Sequence, residues 1–246
     1  MRVVCIIPAR YNSRRLPGKP LLKVRDKSLI QWVFENAQRI SACENVWVAT
    51  DDERVAECVK GFSGNVILTS SAISSGTDRV REAAAKLGLG GDDIVVNLQG
   101  DEPVIDVSSV EKLVREFSEH SSLLMGTLAF HSENEEEFYS PNVVKVVIDK
   151  RGFALYFSRS PIPYPRDTDK VNFLKHLGLY IFRYSFLKKW NSLSPSRLEE
   201  TEKLEQLRAV ENGFPIKVLL SNRDSCGVDT AEDLQFMEEN IERFQG

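Results

Sequence analysis

The chain has 246 residues, 42% of them hydrophobic and 28% charged, proportions that suit a globular protein of one α/β domain with or without a subdomain. Its 32 Lys and Arg against 36 Asp and Glu leave a formal net charge of −4, which argues against a general nucleic-acid binder but leaves room for a local basic pocket. Cys5, Cys43, Cys58 and Cys226 are scattered without a CxxC pair and a strand pattern begins close to Met1; no apolar run approaches the ~18 residues of a membrane span. The expectations are therefore no zinc site, no membrane insertion, no leader segment and a cytoplasmic setting.

Residues 3–7 form a short apolar run ending at Pro8 and are predicted as a buried strand. Residues 28–40 are predicted as a helix: Ser28 and Gln31 have capping-box spacing, and Leu29, Trp32, Val33, Asn36, Ala37 and Ile40 trace one mostly apolar face. A strand follows at 46–49, then Thr50 and Glu53 with capping-box spacing before a helix to about Lys60. A strand at 66–68, a helix capped by Thr77 or Asp78 and running to Leu87, and a strand at 94–98 complete the first part. Short strands, apolar on both faces and alternating with helices, predict a doubly wound, mostly parallel sheet of Rossmann-like form. Ligands then belong beyond the carboxyl ends of the strands.

The rhythm changes after that. Residues 125–130, 143–149 and 154–158 are strand-like, with Lys150-Arg151-Gly152 as a turn, and predict a smaller antiparallel hairpin region. Residues 198–212 are predicted as one helix stopped by Gly213, and 216–220 as a strand. Thr230 and Asp233 open a last helix with Leu234, Met237, Ile241 and Phe244 facing inward. With no repeat or linker, two intimately joined lobes fit better than independent domains.

Four stretches can carry chemistry. The loop after the first strand, Pro8 to Pro20, holds Arg10, Arg14, Arg15 and Lys19; such a loop suits a polyphosphate, or is a solvated basic turn. It contains neither a Walker loop nor GxGxxG, which weakens kinase and dehydrogenase readings. Gln99-Gly100-Asp101-Glu102 follows the fourth strand, where Asp101 can hold Mg²⁺ against phosphate oxygens or simply belong to an acidic loop. In Gly227-Val228-Asp229-Thr230, Asp229 is either the cap of the last helix or, with Thr230 as the cap, a second metal carboxylate. Ser74 to Arg79 is a capped helix start that can also read a base. His120, His131 and His176 show no metal-ligand or nucleophile spacing.

Taken together, these stretches resemble the CMP-Kdo synthetase family, the 3-deoxy-manno-octulosonate (Kdo) cytidylyltransferases, from end to end. The matching blocks are IIPARYNSRRLPGKPL (6–21), VATD (48–51), SSGTDRV (74–80), VNLQGDEP (96–103), VKVVIDKRGFALYFSRSPIPY (144–164), KHLGLYIFR (175–183), LEQLRAVENG (204–213) and GVDTAEDL (227–234). Asn12 and Arg14 depart from the usual first-loop pattern, and Cys226 stands where that pattern is loose.

The resemblance implies a GT-A-like α/β fold with a nucleotide-binding core at about 1–120 and 205–246. The sugar-site and dimerisation lobe then spans about 121–204. It implies transfer of CMP from CTP to Kdo, with release of pyrophosphate, for lipopolysaccharide biosynthesis. Arg10, Arg15 and Lys19 are implied to hold the CTP phosphates, and Ala9, Ser75, Gly76 and Asp78 to frame the cytidine. Asp101 and Asp229 are implied to ligate Mg²⁺. Arg79, Gln99, Arg159, His176, Tyr180, Glu205 and Gln206 are implied to line the sugar site, with Arg79 and Arg159 at the carboxylate. A homodimer through the hairpin region is implied as well. The nearest rival is the same reaction on 8-amino-3,8-dideoxy-manno-octulosonate, against which Glu102 is weighed. Another acidic sugar and a non-catalytic CTP-binding regulator are more distant.

Overall fold

Alternate residues of the first strand face opposite ways, and both ways are apolar. The computed structural model describes residues 1–11, 16–73, 75–168 and 170–241. In β1 (Val3–Ala9), Val3, Cys5, Ile7 and Ala9 enter one hydrophobic core, while Val4 and Ile6 enter the other. A strand buried on both faces needs cover on both, and the helices divide accordingly.

A two-residue hairpin of β2 (Lys23–Val24) and β3 (Lys27–Ser28) leads into α1 (Leu29–Gln38). Then follow β4 (Asn45–Thr50), α2 (Glu53–Gly61), β5 (Asn65–Leu68), α3 (Gly76–Lys86), β6 (Ile94–Asn97) and α4 (Val107–Glu119). Helices α1, α2 and α4 cover the first core and α3 the second. The second half runs β7 (Met125–Ser132), α5 (Glu135–Tyr139), β8 (Lys145–Ile148), β9 (Ala154–Ser158), β10 (Phe173–Arg183) and α6 (Tyr184–Lys189). It ends with α7 (Arg197–Glu202), α8 (Gln206–Glu211), β11 (Ile216–Leu220) and α9 (Ala231–Asn240).

The main sheet has the order β11-β7-β10-β6-β1-β4-β5. Strands β6, β1, β4 and β5 are mutually parallel and β11 is parallel to β7, whereas β10 runs antiparallel to both of its neighbours, β6 and β7. The hairpin β8–β9 continues the sheet from the N-terminal half of β10. This is the expected mixed α/β fold, mostly parallel, with a smaller antiparallel part. The chain leaves β1 towards β4 and β5 and returns on the other side as β6, so the crevice over β1 and β6 is the switch point.

Several local expectations are corrected. Helix α2 is capped by Asp52, which accepts the Arg54 N–H, rather than by Thr50. Helix α3 is capped by Ser75, which accepts the Asp78 N–H, rather than by Thr77 or Asp78. Ser28 occupies the cap position of α1 without a side-chain cap bond. The single helix expected at 198–212 is two: Lys203, at φ 54, breaks it, and the chain turns so that Leu204 and Leu207 enter the second core. Strand β10 includes His176, which the sequence places before a strand, and α4 had no sequence assignment. Phe244 lies outside the described residues.

Candidate active site: two adjoining cavities over the switch point

The loops leaving β1 and β6 are forced together by Gly100. A Cβ at that position would lie 2.8 Å from the Pro8 carbonyl oxygen, a separation real Cβ atoms do not adopt. Between these loops, the start of α3 and the loop before α9 lies a cavity of about 290 Å³. Ala9, Arg10, Lys19, Gly76, Asp101 and Asp229 are among its lining residues.

Two carboxylates converge there on one positive centre. Lys19, 7% exposed on a short 3-10 turn, donates from Nζ to Asp101 Oδ2 at 2.6 Å and to Asp229 Oδ1 at 2.8 Å. The pairing of their loops explains the convergence: the Val228 N–H donates to the Asp101 carbonyl at 2.8 Å, and Val104 bridges to Cys226. The alternatives left open around the last helix are now resolved. Thr230 and Asp233 form a reciprocal capping box on α9, so Asp229 is released from capping. Among the described residues no cluster of three or more His, Cys, Asp or Glu forms a ready metal cage. Two partly exposed carboxylates beside a phosphate-sized space nevertheless fit a hard divalent cation such as Mg²⁺, which takes one or two carboxylates and completes its shell with water and phosphate oxygens.

Arg10 also faces this cavity. Burial, then the charge of Arg79, lowers its pKa from the ordinary guanidinium value, while Glu205, Asp51 and Asp78 oppose the shift. An arginine keeps its charge through such a shift, so the site retains a fixed cation. Arg15, with Asn12, Ser13, Arg14 and Ser74, lies outside the described residues.

Gly76 and Gln99 line this cavity and a second one of about 390 Å³, so the two adjoin. Arg159, His176, Tyr180, Glu205 and Gln206 all line the second cavity, on four different elements or loops. Arg159 is held from several sides: its N–H and Nε donate to the side chain and carbonyl of Glu202 at 3.0 and 2.7 Å, and Nη1 donates to the Pro141 carbonyl at 2.8 Å. Glu205 accepts from Thr77 Oγ1 at 2.8 Å and so ties this wall to α3.

The second cavity is electrostatically quiet around its rings. Burial lowers the pKa of His176 to about 3, so the ring is neutral near pH 7, and burial pushes the Tyr180 phenol well above its ordinary value. Thr127 Oγ1 donates its one proton to a backbone carbonyl, at 2.6 Å to Leu179, so His176 Nε2, at 3.0 Å, must be the donor in its bond to that hydroxyl. Nδ1 is then the ring's acceptor.

Arg79 stands apart from the other expected sugar-site residues. It is 0% exposed and does not line the second cavity. Its guanidinium pairs with Asp51 at 3.1 Å and donates to Thr69 Oγ1 and the Ile73 carbonyl. The partner carboxylate in VATD makes burial of this arginine tolerable, and the pair acts electrostatically on Arg10 rather than lining the second cavity. Ser75 and Asp78 sit at the α3 N-terminus, where Ser75 Oγ is the helix cap, while Gly76 forms the wall. Sequence reasoning missed Glu202, Thr127 and the Trp190 and Lys203 contributions to the second cavity. Each acts through tertiary placement, and nothing in local spacing signals it.

A sequence profile of the family described as Cytidylyltransferase matches residues 4–221. The chain belongs to this family. A 3-deoxy-manno-octulosonate cytidylyltransferase of Syntrophobacter fumaroxidans is 52% identical over 237 residues, covering 96% of this chain and 95% of the relative. An 8-amino-3,8-dideoxy-manno-octulosonate cytidylyltransferase of Shewanella piezotolerans is 47% identical over 242 residues, covering 98% and 99%. A solved structure of CMP:2-keto-3-deoxy-manno-octonic acid synthetase complexed with CTP superposes with a TM-score of 0.92 at 42% identity, covering 99% of each chain. The protein is a cytidylyltransferase of mixed α/β fold, and no helix among its described residues is long and apolar enough to cross a membrane.

Proposed function

We propose that this cytidylyltransferase transfers CMP from CTP to 3-deoxy-manno-octulosonate, giving CMP-Kdo and pyrophosphate for lipopolysaccharide biosynthesis in the cytoplasm. The observation that carries the reading is the pair of adjoining cavities at the switch point, one lined by Arg10, Lys19 and two convergent carboxylates, the other by Arg159, Lys203, Glu205 and the uncharged rings of His176 and Tyr180. The 42% identity over 99% of a synthetase complexed with CTP supports assigning CTP to the first cavity.

The chemistry that needs help is electrostatic, because an anionic sugar acid must approach a polyanionic triphosphate. In this reading Arg10 and Lys19, with Arg15 of the same loop, bind the phosphates and stabilise the departing pyrophosphate. The nucleoside lies against Gly76 and Ala9 of the first cavity. Arg159 pairs with the sugar carboxylate through its planar fork. His176, donor at Nε2 to Thr127, offers Nδ1 as an acceptor for a sugar hydroxyl. Glu205 and Gln206 orient the sugar from the opposite wall. The anomeric hydroxyl then stands in line with the α-phosphorus where the cavities meet, at Gly76 and Gln99. Mg²⁺ is proposed on Asp101 and Asp229, where it would neutralise phosphate charge and polarise the attacking hydroxyl. A homodimer through the β8–β9 hairpin is proposed too, supported by exposed Leu155 on β9 and exposed Tyr164 beyond it.

Pyrophosphate release by the purified protein with CTP and Mg²⁺ tests the reading. Release that depends on Kdo and stops when EDTA removes the metal supports it. Release only with the 8-amino sugar moves the substrate but keeps the reaction. That second substrate has a specific observation behind it, the 47% identity to the Shewanella enzyme. CTP binding without release, whichever sugar acid is added, contradicts the catalytic reading.

A further inference from the structure

Strand β10 does something irregular where it forms the sugar wall. It pairs with β7 from Phe173 to Leu177 and again from Tyr180, with a register shift between Leu177 and Tyr180. Leu177 faces Leu128 and Tyr180 faces Thr127, adjacent residues of β7, so Gly178 and Leu179 are extra. On its other side β10 passes from β8 at Leu174 and Lys175 to β6 at Tyr180.

The bulge has a consequence for the cavity. Residues four apart on a regular strand are separated by roughly 13 Å. His176 and Tyr180 are four apart, yet their β7 partners, Ala129 and Thr127, are only two apart and their ring centroids lie 5.4 Å apart. The extra residues are what bring both rings onto one stretch of wall. Thr127 holds the bulge from the β7 side through the Leu179 carbonyl. On the opposite side the Gly178 N–H donates to Glu102 Oε1 at 3.2 Å.

We propose that Glu102 is a positioning residue for the sugar subsite: by accepting the Gly178 N–H it fixes the β10 bulge that sets His176 and Tyr180 side by side in the larger cavity. The inference rests on the reading of that cavity as the sugar site. Glu102 follows Asp101 directly, so the same turn carries a phosphate-side carboxylate and the support of the sugar wall. The fit is close. A Cβ at Gly178 would lie 2.5 Å from Glu102 Oε1 and 3.4 Å from Glu102 Cδ, with Gln99 Cγ next at 3.7 Å. The missing side chain therefore points at Glu102, and a Cβ there would push the carboxylate off the Gly178 N–H.

Steady-state kinetics and CTP binding of Glu102→Ala, Glu102→Asp, Glu102→Gln, Gly178→Ala and the Glu102→Ala/Gly178→Ala double variant test this. Glu102→Ala should raise the sugar KM about tenfold while CTP affinity stays within about twofold, because only the sugar wall loses its support. Glu102→Asp, which withdraws the acceptor while keeping a carboxyl group, should do the same and keeps the test open if the alanine variant does not fold. Glu102→Gln should restore the sugar KM, since its amide oxygen still accepts the N–H. Gly178→Ala should raise the sugar KM in the parent but add little in the Glu102→Ala background, where the obstructing carboxylate is gone. The proposal is overturned by an unchanged sugar KM in Glu102→Asp, by a Gln variant as impaired as the Ala variant, or by a Gly178→Ala effect equal in both backgrounds. A parent enzyme inactive on both octulosonates defeats the sugar reading itself and this inference with it, and the same assay shows that before any variant is compared.

Discussion

The two cavities share Gly76 and Gln99 but are built in contrasting ways. Around the first, charged groups ride on turns beyond the strand ends: Arg10, Lys19, Asp101 and Asp229. Around the second, His176 and Tyr180 stand on a strand inside the sheet, with His176 kept neutral by burial. Turns beyond parallel strands can present many charges because solvent helps to bear them. A strand in the core carries polar groups only when they are bonded, and charges only when they are paired, as Lys175 on the same strand is with Glu137 and Asp224. The two cavities differ in chemistry because they differ in where the chain is.

Substitutions at the two ends should separate along this line. The largest effect is expected at the carboxylates: Asp101→Asn or Asp229→Asn should lower kcat by about 10³-fold with the fold intact, the scale of losing transition-state charge stabilisation. Near-normal kcat at saturating Mg²⁺ would remove both from the proposed metal site. Next comes Arg79→Ala, which separates the role implied by resemblance from the role seen in the fold. Breaking its ion pair with Asp51 should cost about 3 kcal/mol in a denaturant titration, the low end for a buried pair because Asp51 keeps 21% exposure. The folded enzyme should retain its sugar KM, whereas a raised KM with unchanged stability would return Arg79 to the sugar wall.

Arg159→Ala should raise the sugar KM by about tenfold or more and leave CTP affinity alone, as expected for loss of a carboxylate fork. Equal loss of both affinities would mean that Arg159 supports the fold more than the ligand. The last effect concerns pH and shows only in acid. Burial holds His176 at a pKa of about 3, below the ~6.5 of an unfolded chain. Between those values the unfolded state binds the extra proton, so this group makes stability fall as pH drops from ~6.5 towards 3. His176→Gln should flatten that acid limb of a Tm-against-pH curve, and an unchanged limb would contradict the buried, neutral ring.

Much of the first half was readable because its strands are apolar on both faces and its helices on one. The runs at 3–7, 46–49 and 66–68 fall within strands of the sheet, and the run at 94–98 passes one residue beyond its strand. Caps were less readable, since Thr50, Asp52, Ser75, Thr77 and Asp78 are all competent and the geometry of the incoming chain selects among them. The second half hid more. Lys175 and His176 interrupt the apolar pattern of β10 because they bond to groups distant in sequence, Lys175 to Glu137 and Asp224, His176 to Thr127. The break at Lys203 lies in a run of good helix formers, where only burial of Leu204 and Leu207 explains the turn. Arg79 carries the same lesson within the candidate site: a helical arginine beside polar residues reads as ligand-facing, and only the Asp51 contact explains its burial.

If the two cavities serve one transfer of a CMP unit, the α-phosphorus must pass from one ligand to the other. With CTP labelled at that atom, the label should move into a sugar nucleotide only when Kdo or its 8-amino analogue is present, with one pyrophosphate released per product formed. Label that stays in CTP, or that appears as free CMP without regard to the sugar, would contradict it.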